Sequence, residues 1–135
     1  MMLIGFDLRK DLQKLHAAYF DSQGVTSRFN INLLNRMNRE LGANFNVKNW
    51  QHRAVWNGNV SAMESWLIPI VDQTVTLGPI GNNKSFKMNA WEGIRVERSY
   101  KYSLESIKEI AQGSGKILLS MCHWFSRMFD RFFDC

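Results

Sequence analysis

The alternation of apolar and polar residues in the middle of the chain most constrains its fold. Period-two or short apolar runs typical of strands occupy five stretches, 52–56, 66–71, 73–77, 84–88 and 94–99. Pro69 interrupts the second run, so the second and third runs form either one long strand or two consecutive ones. Asn57-Gly58 is a dipeptide typical of a tight hairpin turn. We therefore predict an antiparallel patch of about four strands.

Helical periodicity flanks this patch on both sides. Apolar residues recur at helical spacing over 10–20, 26–41 and 103–112. Thr26 and Ser103 are predicted to cap the second and third helices, and Gly42 is placed to end the second in a left-handed conformation. The residues predicted to form the buried face of the second helix are Phe29, Leu33, Met37 and Leu41.

Two more strands are predicted outside the patch. Residues 2–8 form a continuous apolar run, which is typical of a strand covered on both faces in a parallel sheet. Residues 116–125 also suit a strand, whereas the phenylalanines after position 124 fit an amphipathic helix better. Because helices and strands occur in separate runs, the predicted fold class is α+β, with a single partial domain over 1–135.

Charge and cysteine content exclude several classes of protein. The chain carries 17 Lys and Arg against 12 Asp and Glu, but the basic residues are scattered and mostly have acidic neighbours. This pattern favours a solvated surface over a nucleic-acid-binding stripe. Cys122 and Cys135 make neither a disulfide framework nor a metal site. No apolar run is long enough to cross a membrane, so we expect a cytoplasmic protein.

Four strings in the sequence resemble one enzyme family. They are Gly5-Phe6-Asp7-Leu8-Arg9-Lys10-Asp11, then Ala18-Tyr19-Phe20-Asp21-Ser22-Gln23-Gly24-Val25-Thr26-Ser27-Arg28-Phe29-Asn30, Asn38-Arg39-Glu40-Leu41-Gly42-Ala43, and Glu97-Arg98-Ser99-Tyr100-Lys101-Tyr102. Together they resemble the histidine-specific methyltransferases, which use S-adenosylmethionine to trimethylate the α-amino group of L-histidine on the way to ergothioneine. The likeness runs from residue 3 to about residue 115.

The resemblance implies that this chain corresponds to the C-terminal half of the enzyme. Residues 1–8 and 102–135 would be a remnant of the Rossmann-like methyltransferase core, and about 9–101 the substrate-binding region. A Rossmann-like fold holds its cofactor at a glycine-rich turn from strand to helix. Gly78 and Gly81 bracket a loop, and Gly113 and Gly115 end a helix. S-adenosylmethionine is therefore not expected to bind to this chain alone, and no residue of the chain is assigned a catalytic or cofactor-binding role.

The resemblance also assigns three substrate-binding residues. Glu97 and Ser99 correspond to the pair that hydrogen-bonds the substrate imidazole, and their spacing puts both on one face of a strand. Tyr19 corresponds to the tyrosine that helps to hold the amino-acid end. From the residues alone, Glu97 could instead pair with Arg95 or Lys101, and Tyr19 could cap a core. His16 and His52 are expected to be structural. Ser65 stands where family enzymes can carry a methionine, which leaves the exact substrate open.

Three functions remain open at this stage. The chain could be the substrate-recognition part of a methyltransferase, inactive alone or working with a separately encoded N-terminal half. It could be an autonomous module that binds histidine or a related betaine, or a basic nucleic-acid-binding domain. An apolar edge along residues 2–8 would pair with another chain if unprotected, so self-association into a homo-oligomer is also expected.

Overall fold

A computed structural model describes residues 4–115, which fold into three helices and five strands with two short 3₁₀ turns. The α-helices are α1 (Leu12–Tyr19), α2 (Val25–Leu41) and α3 (Leu104–Gly113). The strands are β1 (Trp50–Asn57), β2 (Ala62–Pro69), β3 (Gln73–Thr76), β4 (Ser85–Met88) and β5 (Ile94–Tyr100). The 3₁₀ turns span Val47–Asn49 and Pro79–Gly81. This arrangement confirms the predicted α+β class.

The strands form two antiparallel sheets. The larger has the order β1-β2-β5, and the smaller pairs β3 with β4. The hairpin between β1 and β2 turns after Asn57, as the Asn-Gly signal predicts, and Asn57 is opposite Ala62. Pro69 is the last residue of β2, where a strand can do without a backbone donor. It therefore separates β2 from β3, which leaves five strands where about four were predicted.

Capping residues set the helix boundaries. Two of the predicted caps are confirmed, and the predicted N-terminal cap of α2 is wrong. Ser103 caps α3 as predicted, in a reciprocal pair of hydrogen bonds with Ser106. Gly42 ends α2 at a φ of 64°, also as predicted. Thr26, however, is inside α2 and does not cap it. Asp21 does so, because its two carboxylate oxygens accept the backbone N–H groups of Val25 and Thr26 at 2.7 and 2.8 Å. These hydrogen bonds, the one from Thr26 foremost, lower the pKa of Asp21 to about 2.

The buried face of α2 lies one position away from the predicted one. Leu34 and Asn30 are the buried residues of the helix. Of the predicted residues, Met37 packs against the core as expected, whereas Phe29 is 75% exposed and Leu33 is 39% exposed. The helical period alone is compatible with either face, since apolar residues occur on both. The contact with the sheet selects the face that carries Leu34.

One core cluster lies between α2 and both sheets, and the other lies between α1 and the larger sheet. In one cluster, Leu34 of α2 packs with Trp50 and Leu67 of the sheet. In the other, Leu15 of α1 packs with Ala54 and Met63, and Tyr19 is at its margin. One face of the sheet is thus covered by α1 and α2, which positions their connecting segment beside β1.

The strand predicted over 2–8 is not present in its described part. Residues 2 and 3 are outside the described residues, and from residue 4 onward Leu8 makes only an isolated parallel bridge to Tyr102. Two backbone hydrogen bonds at 2.9 Å join this segment to Tyr102. A ladder needs a partner strand, and within 4–115 residues 4–7 have none. The predicted strand at 116–125 and the tail beyond it are outside the described residues.

Candidate functional site

A buried lysine joins two of the three predicted site residues. The ammonium of Lys101 donates to the hydroxyl of Tyr19 at 2.9 Å and to the hydroxyl of Ser99 at 2.7 Å. It also forms an ion pair with Asp7 at 3.1 Å. The Lys101 side chain is fully buried, although Asp7 is half exposed. Lys101, Tyr19, Ser99 and Asp7 together are called the Lys101 junction. It brings together α1, the end of β5 and the segment that precedes α1.

The chemistry of an ammonium fixes the direction of these hydrogen bonds. Lys101 has three donors and no acceptor, so the oxygens of Tyr19 and Ser99 must be the acceptors. Each hydroxyl keeps its own proton, and within 4–115 no residue accepts either one. Both hydroxyls therefore keep the capacity to donate one hydrogen bond.

Burial alone would lower the pKa of Lys101, because a charged group is destabilised away from water. The hydrogen bonds to Tyr19 and Asp7 outweigh this effect and raise the pKa above its usual value. In Asp7 burial likewise opposes ionisation, but contacts with Lys10 and Lys101 lower its pKa overall. Lys101 and Asp7 are therefore both charged at neutral pH, and the positive charge of Lys101 lies next to the hydroxyls of Tyr19 and Ser99.

Glu97 lies on the same face of β5 as Ser99 but is not part of the junction. It is exposed, and it is opposite Ser65 in the sheet register. Neither alternative ion pair occurs, since Arg95 pairs with Glu64 and Lys101 pairs with Asp7. Its carboxylate is therefore available as an acceptor two residues from the Ser99 donor.

A cleft of about 430 Å³ lies on the other side of Tyr19, between β1 and the connection from α1 to α2. Its lining residues are Tyr19, Phe20, Asp21, Ser22, Gly24, Ser27, Ile31, Trp50, Gln51, His52 and Arg53. Trp50 and His52 are 3% and 4% exposed. The indole N–H of Trp50 and both ring nitrogens of His52 have no hydrogen-bond partner among residues 4–115.

The charge state of His52 depends on its surroundings. Burial is the largest effect and lowers the pKa of the imidazole, while Glu97 and Asp21 act to raise it and Arg53 to lower it. The net shift is downward, so His52 is neutral at pH 7 and offers one donor and one acceptor. Sequence reasoning assigned His52 a structural role, and in the structure it is buried and is among the residues that line the cleft with Tyr19.

Sequence reasoning also missed Lys101 and Trp50. A signal for Lys101 was present, because positions 97, 99 and 101 alternate onto one side of an extended segment. No comparable signal marked Trp50, since a tryptophan at the start of a strand is ordinarily a core residue. Only the packing of α1 and α2 against β1 shows that it lines a cleft.

The opposite face of the sheet holds a separate charged cluster. Glu64 is buried there and accepts from Arg98 at 2.9 Å and from Arg95 at 3.3 Å. Burial opposes its ionisation, but these arginines and Asn57 lower its pKa overall. Ion pairs within 4–115 engage these basic residues: Lys10, Arg36, Arg39, Arg95, Arg98 and Lys101.

Neither Gly24 nor Gly78 makes the strand-to-helix turn at which a Rossmann-like fold holds S-adenosylmethionine. Gly24 follows a helix and not a strand, so it does not make the turn that cradles a nucleotide. Gly78 does follow β3, but a Cβ there would lie 2.7 Å from the carbonyl oxygen of Leu41. That glycine accommodates the end of α2 and leaves no space for a ligand.

Within 4–115 no cluster of His, Cys, Asp or Glu could hold a metal ion. In the same range, no helix has the length and apolar character to span a membrane.

Comparisons with known proteins identify the family of this chain. A family model described as "Histidine-specific methyltransferase, SAM-dependent" matches residues 1–133. The histidine N-alpha-methyltransferase of Mycolicibacterium smegmatis is 35% identical over 126 residues, which are 93% of this chain and 37% of that enzyme. The enzyme of the same name from Mycobacterium tuberculosis is 39% identical over 78% of this chain and 32% of its own length. Ergothioneine biosynthesis protein 1 of Schizosaccharomyces pombe is 27% identical over 82% of this chain and 14% of its own length.

The chain thus spans about a third of the length of the two mycobacterial relatives. The match extends over the junction and the cleft alike, because both lie within the range of the family model. On the extent of that match, the chain belongs to the histidine-specific, S-adenosylmethionine-dependent methyltransferase family.

Proposed function

We propose that this chain is the substrate-recognition part of an S-adenosylmethionine-dependent N-methyltransferase that acts on histidine or a related amine. The observation that carries the proposal is the Lys101 junction, which orients the hydroxyls of Tyr19 and Ser99 as donors. Residues 9–101 would form the substrate-binding region, and 1–8 with 102–135 would belong to a Rossmann-like core. The chain would not transfer a methyl group alone, because no described glycine turn suits the methyl donor.

The three residues match the hydrogen-bonding groups of histidine. A neutral imidazole has one N–H donor and one acceptor nitrogen. The Glu97 carboxylate would accept the N–H, and the Ser99 hydroxyl would donate to the other nitrogen. Tyr19 would donate to the amino-acid end. A site that pairs both ring nitrogens rejects amines that lack them, because its own polar groups would then stay unpaired.

The residues of this chain would contribute to the reaction by alignment. Methyl transfer to nitrogen requires a neutral amine in line with the methyl group, and holding the substrate in that geometry accounts for a large part of such a rate enhancement. The methyl donor would be supplied by a separately encoded N-terminal half or by a further segment. Tyr19, Glu97 and Ser99 would then fix the position of the amine without taking part in bond formation.

Calorimetry with histidine and with S-adenosylmethionine tests this function. We expect the 135-residue chain to bind histidine and not S-adenosylmethionine. Glu97→Gln should weaken histidine binding about tenfold because it replaces a charge-assisted hydrogen bond by a neutral one, and Ser99→Ala should have an effect of similar size because it removes the donor hydroxyl. Glu109→Gln, on the exposed side of α3, is the matched control and should leave the affinity unchanged.

Two results would contradict the proposal. Tight binding of S-adenosylmethionine would show that the chain has a cofactor site of its own. If the chain does not bind histidine, the proposed substrate site is wrong. A stand-alone module that binds histidine or a betaine would use the same residues. Addition of a cofactor-binding half from a relative distinguishes the two, because only the enzyme part would then yield methylated histidine. Salt-sensitive DNA binding in place of histidine binding would favour the nucleic-acid alternative.

A further inference from the structure

Strand β5 contains a β-bulge. Arg95 is opposite Trp66 of β2 and Glu97 is opposite Ser65, so β5 has one extra residue, Val96, between these two pairs. A bulge of this kind sets two residues of one strand against one residue of its partner. It therefore shifts by one residue the alternation of every side chain that follows it.

The bulge decides which face of the sheet Glu97 and Ser99 occupy. Before the bulge, Ile94 is opposite Leu67, which is a core residue. Regular alternation from Ile94 would put Glu97 and Ser99 on the face away from that core. The extra residue Val96, which itself packs against the core, moves both of them to the core side.

Contacts of the neighbouring strand and of α1 show the same orientation. Ser99 is opposite Met63, and Met63 packs with Leu15 of α1. The Ser99 hydroxyl also accepts from Lys101, whose ammonium reaches Tyr19 of the same helix. The bulge is thus the feature of β5 that turns the proposed imidazole-binding residues toward α1.

One buried carboxylate joins the two ends of the bulge on the other face of the sheet. Oε1 of Glu64 accepts from Arg95 at 3.3 Å and from Arg98 at 2.9 Å. Arg95 precedes the bulge and Arg98 follows it. Asn57 donates to the same oxygen at 3.3 Å, and Glu64 is only 4% exposed. The buried carboxylate is therefore fixed by three donors, two of which come from β5.

The spacing of the two arginines connects these ion pairs to the bulge. Residues three apart in a regular strand lie on opposite faces of a sheet. Arg95 and Arg98 are three apart, yet both contact Glu64, because the bulge brings them to the same face. The shared carboxylate thus stabilises the bulged register over the regular one, in which the faces would be exchanged.

We propose that Glu64 is a positioning residue for substrate recognition, which fixes the bulge and so keeps Glu97 and Ser99 directed at the ligand. This inference rests on the proposed function, because it assigns a support to the same two residues. Glu64 would act through β5 from the opposite face of the sheet and would touch no atom of the substrate.

A double-mutant cycle with histidine as the probe tests this role by calorimetry. Glu64→Gln keeps the shape of the side chain but removes the charge that holds both arginines. We expect it to raise the Kd for histidine about tenfold, as Glu97→Gln does. If Glu64 acts by positioning Glu97, the double variant should fall well short of the roughly hundredfold product of two independent effects. A merely structural role would give that full product.

A second variant covers the case in which Glu64→Gln does not fold. Arg95 has a side chain that is 41% exposed, so Arg95→Gln removes one ion pair of the bulge without opening the core. It should show the same coupling with Glu97→Gln. Glu40→Gln is the matched control, because Glu40 also accepts from two arginines, but on the exposed surface of α2. It should leave the Kd for histidine unchanged.

The outcomes distinguish this inference from the proposed function. If the wild-type chain binds histidine and both Glu64→Gln and Arg95→Gln bind it equally well, the positioning role is refuted and the proposed function stands. Full additivity with Glu97→Gln also refutes the positioning role. If the wild-type chain does not bind histidine, the proposed function fails and the role of Glu64 fails with it.

Discussion

At the scale of single residues, Lys101 connects the structure of this protein to its proposed chemistry. Its ammonium contacts the oxygens of Tyr19, Ser99 and Asp7. Ser99 is close to it in sequence at the end of β5, whereas Tyr19 and Asp7 belong to the distant N-terminal segment. A neutral donor in its place would leave the hydroxyl directions undefined. The positive charge therefore stabilises the contact between these segments and makes both hydroxyl oxygens acceptors from Lys101.

Lys101→Met is expected to lower the free energy of unfolding by about 2 kcal/mol, because it removes charge-assisted hydrogen bonds and leaves polar partners unpaired. It should also weaken histidine binding, since Tyr19 and Ser99 lose their orientation. Chemical denaturation and calorimetry measure the two effects. Lys108→Met, on the exposed side of α3, makes the same change outside the junction and should alter neither quantity.

The loss of stability caused by Lys101→Met should depend on pH. The pKa of Lys101 is raised above its usual 10.5 in the folded chain. Its stabilising effect is therefore fully present below about pH 10.5 and is lost as the pH rises through the higher folded-state pKa. The stability difference between wild type and Lys101→Met should stay constant from pH 7 to 9 and shrink above pH 10.5. A constant difference across that upper range would contradict the charged junction.

At the scale of elements, the end of α2 and the loop after β3 are fitted closely together. The N–H of Gly78 donates to the carbonyl of Leu41 at 2.9 Å, so the backbone of the loop touches the last turn of the helix. A Cβ at position 78 would be 2.7 Å from that carbonyl oxygen and 3.0 Å from the one of Gly42. Because both obstacles are backbone atoms, a larger side chain cannot be accommodated by a rotamer change.

Gly78→Ala should therefore destabilise the chain by roughly 1–3 kcal/mol, the usual cost of overpacking. Gly113→Ala is the matched change, because Gly113 is the last residue of α3 and a Cβ there would meet no atom within 4 Å. It should be neutral or raise stability by up to about 1 kcal/mol, since alanine favours helix. Thermal unfolding of both variants measures the contrast, and equal destabilisation would argue against the close approach at Gly78.

At the scale of the whole molecule, an apolar stripe on α2 is left uncovered. Val25, Phe29 and Leu33 recur at four-residue spacing and are 52%, 75% and 39% exposed. The sequence placed Phe29 and Leu33 in the core, whereas in the structure both belong to the exposed large hydrophobic residues. Exposed apolar stripes of this kind are typical of surfaces that contact another protein segment.

We expect the isolated chain to self-associate through this stripe, as the sequence also predicted for the molecule, though from a different surface. Sedimentation at high micromolar concentration should show a species larger than the monomer, and Phe29→Glu should shift it to the monomer without loss of helix signal. Ile80→Glu, at a 74% exposed position in the turn after β3, serves as the control. A wild-type chain that sediments only as a monomer would contradict self-association. We would then expect the separately encoded N-terminal half to contact the apolar stripe of α2.

The sequence by itself determined the local elements of this protein. Period-two alternation, the Asn57-Gly58 turn, Ser103 and Gly42 specify strands and helix ends, because each acts through bonds to residues nearby in the chain. Glu97 and Ser99 share a face for the same local reason. The tertiary structure alone decided which face of α2 is buried and that Lys101 meets Tyr19. It also decided that Trp50 and His52 line one cleft, since these depend on contacts between segments that no local period encodes.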